Sequence, residues 1–172
     1  KVNLQAINLT YQATSRFSCT LSVPILLASR RSNNSYYTTH SSGLGDTALV
    51  VQGWLWNPRH SRHGNIRFGV GLQAPTGKDN VQNNVLTTAT ATAPTVITDD
   101  YSIQPGSGGW GTIFQWQAFR DIGHGTIAYT DGSYLATQGG TNKVLRNANA
   151  LSQPLTAYNA IQDQYLIQAG VA

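Results

Sequence analysis

The sequence predicts an all-β fold: an antiparallel transmembrane β-barrel built as an up-and-down meander, with about seven or eight strands in view. Three observations carry this reading. Apolar and polar residues alternate with period two over most of the chain, and helical periodicity is nearly absent. Several alternating runs reach ~10 residues, the length a tilted strand needs to cross a bilayer, where globular strands are nearer five or six. The connections between runs alternate short and long, as in barrels that end in trimmed turns on one side and elaborated loops on the other.

The first strand is expected over residues 2–13, where the apolar phase of VNLQAINLTYQ slips after Ala6, a pattern that either a bulge or a different register would produce. The second, 16–29, is the cleanest: Phe17, Cys19, Leu21, Val23, Ile25 and Leu27 share one face, with Ser18, Thr20, Ser22 and Pro24 on the other. The third, 45–56, sets Leu49, Val51 and Leu55 against Asp46, Gln52 and Trp54. The fourth, 65–75, sets Ile66, Phe68, Val70 and Leu72 against Arg67, Gly69, Gly71 and Gln73. The fifth, 110–120, sets Phe114 and Trp116 against Gln115 and Gln117; the sixth, 125–137, is mixed on both faces around Asp131; the seventh, 160–172, sets Tyr165 and Ile167 against Gln164 and Gln168. Between them lie connections at 14–15, 30–44, 57–64, 76–109, 121–124 and 138–159.

The face opposite the apolar rows is what favours a wetted interior over a packed soluble core. Asp46, Gln52, Arg67, Gln73, Gln115 and Gln117 are the candidate lumen-facing residues. Trp54, Trp56, Trp110, Trp116, Tyr129, Tyr134, Tyr158 and Tyr165 gather toward strand ends in the manner of interfacial girdles.

Composition bounds the class. Only 10% of residues are charged, with no Glu and no Met, against roughly 25% charged in ordinary domains. Polarity is carried by Ser, Thr, Asn and Gln, which suits strands alternating between lipid and water. The net charge of +4 reflects few acids more than many bases, and no basic stripe with interleaved aromatics points to nucleic acid. No window approaches the ~20 apolar residues of a membrane helix. Residues 1–172 read as a single barrel domain lacking strands at one or both ends, with Lys1 the start of a processed or partial chain. The single cysteine, Cys19, is expected to pack as a small apolar side chain.

Motifs for chemistry are weak. Gly71 through Lys78 comes near a phosphate-binding loop, but five residues separate Gly71 from Gly77, Asp79 follows Lys78, and no helix is expected downstream. His60 and His63 lie in a turn among arginines, which oppose a cation. Asp99 and Asp100 lack the regular spacing of a calcium loop. No nucleophile has an evident base, so the expectation is a non-enzyme with no catalytic residue, metal or cofactor.

Three short motifs carry a family resemblance: Gly45-Asp46-Thr47 at a strand start, Pro75-Thr76-Gly77 at a strand end, and Pro105-Gly106 with Gly108 before a later strand. Residues 43–137 thereby resemble the bacterial outer-membrane family named for the meta-pathway of phenol degradation. The resemblance implies a barrel of the bacterial outer membrane, a passive channel or transporter of small hydrophobic or aromatic compounds, or a structural outer-membrane protein. It implies the lipid bilayer and lipopolysaccharide as partners and supplies no catalytic residues. Bacterial barrels have even strand counts, so seven strands imply further strands or the combination of copies into a homo-oligomer. The alternative is a secreted soluble β-sandwich or barrel that binds carbohydrate or a small ligand. On the barrel reading Lys78 stands at the membrane rim, just past the end of its strand.

Overall fold

The structure, a computed structural model, describes residues 1–32, 36–145 and 158–172. Its strands are β1 (Val2–Gln12), β2 (Phe17–Arg31), β3 (Thr38–Leu44), β4 (Thr47–Trp54), β5 (Gly64–Ala74) and β6 (Gln82–Val85). They continue as β7 (Thr95–Thr98), β8 (Trp110–Gly123), β9 (Thr126–Gln138), β10 (Thr141–Leu145), β11 (Tyr158–Ala160) and β12 (Gln164–Val171). One 3-10 turn, Tyr101–Ile103, precedes β8, and no α-helix occurs among the described residues. Strands β1, β2, β4, β5, β8, β9 and β12 pair in that order, all antiparallel, into a sheet curled as a half-barrel. The meander follows from chain order, since each strand lies beside the next long one.

Alternation becomes two faces through the register. Directly opposed residues point the same way, so cross-strand partners form rows. Tyr11, Cys19, Val51, Val70, Phe114, Tyr134 and Tyr165 make one row across all seven strands on the outer face. Leu9, Leu21, Leu49 and Leu72 stand beside it. The neighbouring inner row reads Gln12, Ser18, Gln52, Gly69, Gln115, Ser133 and Leu166. Leu49, Val51, Phe68, Val70 and Leu72 are each half-exposed or more, whereas Ser18, Val50 and Ile113 are buried. The apolar side of the sheet is its outside.

Length fits that face. The 11 residues of β5, at about 3.3 Å each and tilted by about 40°, span roughly 28 Å, close to the ~25 Å apolar band of membrane barrels.

Glycines let large rings lie flat on this surface. A Cβ at Gly132 would meet the Trp116 ring at 2.1 Å, and one at Gly53 would meet the Phe17 ring at 2.6 Å. Both are cross-strand pairs, so the ring occupies the space its partner lacks.

Three expectations change. Residues 30–44 are not simply a loop: β2 runs on to Arg31 and pairs there with β3, which continues toward β4 on the same side of β2. Ser22 faces Ala48 and Ile25 faces Leu44, so two residues on β2 oppose three between Leu44 and Ala48. That extra residue is a bulge at Gly45–Asp46, and it exchanges the faces of β3 relative to β4. The phase slip in β1, by contrast, is no bulge, because Val2↔Ala28 through Gln12↔Ser18 pair without interruption. Val2, Leu4 and Ala6 turn inward beside Leu26 and Ala28, while Ile7, Leu9 and Tyr11 turn outward. The mixed faces of β9 likewise sit in continuous register with β8 until the turn, where it shifts between Asp121 and Gly123.

The long connection from β5 to β8 closes over the inner face at one end. Ile103 packs against Leu26 and Ala28 as the buried apolar cluster. Strands β6 and β7 form a hairpin within this connection, and β10 pairs β11 within the connection from β9 to β12. The rest of that second connection, 146–157, lies outside the described residues. Lys78 is exposed, four residues past the end of β5, and no helix starts there.

Candidate functional site

The inner face, followed from the long-loop rim to the short-turn rim, changes character row by row. Beneath the Ile103 cluster comes a largely apolar row of Val50, Gly71, Ile113 and Leu135. Next is the polar row of Ser18, Gln52, Gln115 and Ser133, where Gln52 Nε2 donates to Gln115 Oε1 across Gly69. A Cβ on Gly69 would stand 2.8 Å from Gln52, so the glycine makes room for the two amides to meet.

The row beyond holds the charges: Trp54, Arg67, Gln117, Asp131 and Gln168. Arg67 donates to Ser18 Oγ and lies with its Cζ 5.5 Å from the Trp54 ring centroid. This stacking over an aromatic face suits a weakly hydrated, planar cation. Its Nε–H has no partner among the described residues, and neither does the Asp131 carboxylate. Phe119 meets Trp54 edge to face at 6.1 Å and 81°. Trp54, Phe119 and Tyr129 therefore furnish the inner face near the short turns.

Five of the six residues singled out from the sequence share this face. Gln52 and Gln115 are bonded, Arg67 and Gln117 are cross-strand neighbours, and Gln73 lies nearer the long-loop rim. Asp46 does something else. It occupies the bulge before β4, and its carboxylate accepts from Gly77 N at 3.0 Å, Ser107 N at 2.7 Å, Ser107 Oγ at 2.7 Å and Gln73 Nε2 at 3.2 Å. Around it Thr76 Oγ1 donates to Gly45 O at 3.0 Å and accepts from Thr47 N at 2.8 Å. Gly106 N donates to Lys78 O at 3.0 Å, and the backbones of Gly77 and Gly106 cross so closely that a Cβ on either would fall within 2.6 Å of the other. The Gly-Asp-Thr, Pro-Thr-Gly and Pro-Gly-Ser-Gly segments are thus one clasp, which fixes both ends of the long connection to the sheet.

Acids elsewhere on this rim are also engaged. Burial raises the Asp99 pKa above the usual carboxylate value, against hydrogen bonds from Asn83 and Thr39. At Asp100 partial burial pushes the same way, but the Ser102 hydrogen bonds and Arg30 outweigh it and the pKa falls. The two neighbours point to different partners, and no cluster of three metal-ligating side chains exists among the described residues. The opposite rim carries Arg16, Arg59, Arg62 and Arg120 with three histidines. Cys19 is free and sits in the outer row between Tyr11 and Val51.

Sequence reading missed Asp131, whose inward position becomes visible only with the β8–β9 register, and placed Trp54 and Tyr129 in a girdle. The structure turns both inward, with Tyr129 facing Phe119 and Gly170. Trp56 and Trp110 are exposed, one just beyond the end of β4 and the other at the start of β8. No family model matches the chain, and no curated protein matches it significantly.

Proposed function

We propose that the chain is a barrel wall of a bacterial outer membrane, with its outer rows against lipid and its inner rows lining a passage for small hydrophobic or aromatic solutes. One observation carries this reading: large apolar side chains stand on the outside in complete cross-strand rows, while the buried apolar core is small. At about 1.5–3 kcal/mol for each such side chain removed from water, the rows favour lipid by tens of kcal/mol. A soluble monomer rarely exposes so large a contiguous patch.

The inner face supports the passage. Neutral amides and hydroxyls wet it, the Val50, Ile113 and Leu135 row offers an apolar surface, and Trp54, Phe119 and Tyr129 offer rings to an aromatic solute. Residues 75–109 cover one end, so passage depends on that connection leaving a way through. The resemblance of the Asp46 clasp segments to the phenol-degradation outer-membrane family agrees in direction.

Closure has a parity condition. Seven antiparallel strands leave β1 and β12 running the same way with a free edge each. Further antiparallel strands that close the barrel must be odd in number, whereas a second copy in the same orientation makes two parallel seams.

The test is refolding into detergent and then into planar bilayers. Heat-modifiable gel mobility and step conductance are expected. A compact monomer soluble without detergent would sink the membrane reading, and a folded but silent barrel would leave a structural role in place of transport.

A further inference from the structure

The basic rim has a built cleft. Between the β4–β5 turn and the ends of β8 and β9 lies an open cavity of about 600 Å³, bordered by Trp56, His60, Arg62, His63 and Arg120. Its floor belongs to the outer face. The large outward rings of Phe68 and Trp116 give way, toward the short turns, to the row Ile66, Ala118 and Thr130 and then to Gly64, Arg120 and Ala128. Small residues make a trough there, continuous with the apolar rows and opening under the turn.

The charge at its mouth is only partly compensated. Arg16 is engaged, donating to the Leu55 carbonyl at 2.6 Å and to the Trp54 carbonyl at 3.1 Å. The guanidinium groups of Arg59, Arg62 and Arg120 have no hydrogen bond among the described residues. The one acid nearby, Asp121, is hydrogen-bonded to Gly123 N at 2.8 Å and lies 3.3 Å from His63 Nδ1. Its carboxylate interacts electrostatically with both His63 and Arg120, so it offsets part of that charge and leaves Arg59 and Arg62 without an acid among the described residues.

We propose that this cleft binds an anionic phospholipid, its phosphate between Arg62 and Arg120 and the start of an acyl chain along the Ala118–Ala128 trough. The inference rests on the outer face being the lipid-facing one. Two features select an amphiphile over a free anion: the arginines border an apolar trough, and the trough runs without interruption into the exposed apolar belt. An arginine fork matches a phosphodiester bidentately, and a site half in lipid is screened less than an open surface. The volume falls within the ~300–1,000 Å³ usual for ligand clefts.

The experiment reconstitutes the whole chain in phosphatidylcholine vesicles carrying a trace of dansyl-labelled phosphatidylglycerol or, separately, dansyl-labelled phosphatidylcholine, and reads energy transfer from tryptophan. A several-fold preference for the anionic probe is expected, reduced to near parity in Arg62→Gln/Arg120→Gln. Equal transfer from both probes, or a preference that the double variant keeps, overturns the site. Displacement of the probe by millimolar inorganic phosphate also overturns it, since that outcome describes a free-anion site. Flotation of wild type and variant with unlabelled phosphatidylcholine vesicles is read in parallel. Loss of flotation by both refutes the membrane reading itself, whereas retained flotation with lost preference isolates the lipid site and shows that the variant folds.

Discussion

The two rims of the half-barrel end the same strands in opposite ways. At the long-loop rim Asp46, Asp99, Asp100 and Asp163 are all hydrogen-bonded to backbone amides or side chains. At the short-turn rim three arginines extend without such partners. A carboxylate that accepts several backbone N–H bonds is spent on holding chain together; a guanidinium with none is available to something outside it. The difference teaches that charge, scarce in this chain, is bound into internal hydrogen bonds at one end and left in three arginines without them at the other.

The largest effect is expected from breaking the acidic side of that comparison. Asp46→Ala removes the acceptor for four hydrogen bonds and leaves Gly77 N and Ser107 N unpaired in a partly buried site. Bonds to charged groups contribute about 1.5–3 kcal/mol each, with losses in one cluster adding incompletely, so a cost on the order of 3–5 kcal/mol is expected in urea unfolding. Tryptic cleavage after Lys78, the one basic residue between Pro75 and Gly109, should accelerate in the same variant. An unchanged midpoint with an unchanged cleavage rate would mean that the clasp does not hold the loop.

A smaller effect sharpens the same point sterically. A Cβ at Gly106 would lie 2.4 Å from Gly77 O, backbone against backbone, so Gly106→Ala must push the two segments apart. Overpacking of this kind costs about 1–3 kcal/mol. The variant should therefore fall between wild type and Asp46→Ala in unfolding midpoint, and adding it to Asp46→Ala should cost less than it does alone. Full additivity would show that the glycine crossing and the carboxylate act separately.

How much of this was legible beforehand depended on range. Alternation in FSCTLSV and IRFGVGL fixed faces and approximate spans of β2 and β5, because a period of two is a local property. Strand β3 escaped because TTHSSGL carries no apolar alternation, and the bulge at Gly45–Asp46 breaks the phase that would have joined it to β4. The Gly-Asp-Thr, Pro-Thr-Gly and Pro-Gly-Ser-Gly segments stood out as motifs. That Asp46 bonds Gly77 and Ser107, 31 and 61 residues away, follows only from the sheet order. Among the lumen candidates the glutamines were placed by parity, while Asp46, which accepts from Gln73, is taken up by the clasp in a way that parity does not foretell. The sequence shows the basic turn only as a group of arginines and histidines unsuited to a metal; its trough appears only when β8 and β9 set Ala118 beside Thr130.

The smallest effect concerns pH, and it separates the two neighbours Asp99 and Asp100. Asp100 pairs with Arg30 and accepts from Ser102 N at 3.0 Å and Ser102 Oγ at 2.6 Å, tying the 3-10 turn to β2. Its folded pKa is depressed, so its contribution is present above the unfolded carboxylate value of about 3.9 and is lost as pH falls through the lower folded value. Asp99 has the opposite sign: its raised folded pKa contributes most below the unfolded value and loses that contribution as pH rises through the folded one. Asp100 is almost half exposed, so solvent screening keeps its shift small in free energy, whereas Asp99 is buried. Asp100→Asn should flatten the acid limb of stability against pH, read as the unfolding midpoint from pH 2 to 6 in a medium of constant ionic strength, while Asp99→Asn should flatten the limb above pH 4. The short-turn rim provides the control, since Arg62→Gln lies far from both carboxylates and should leave each limb in place. If Arg62→Gln moved the acid limb as much as Asp100→Asn does, the acidic rim would not be the separate, internally satisfied unit that its hydrogen bonds describe.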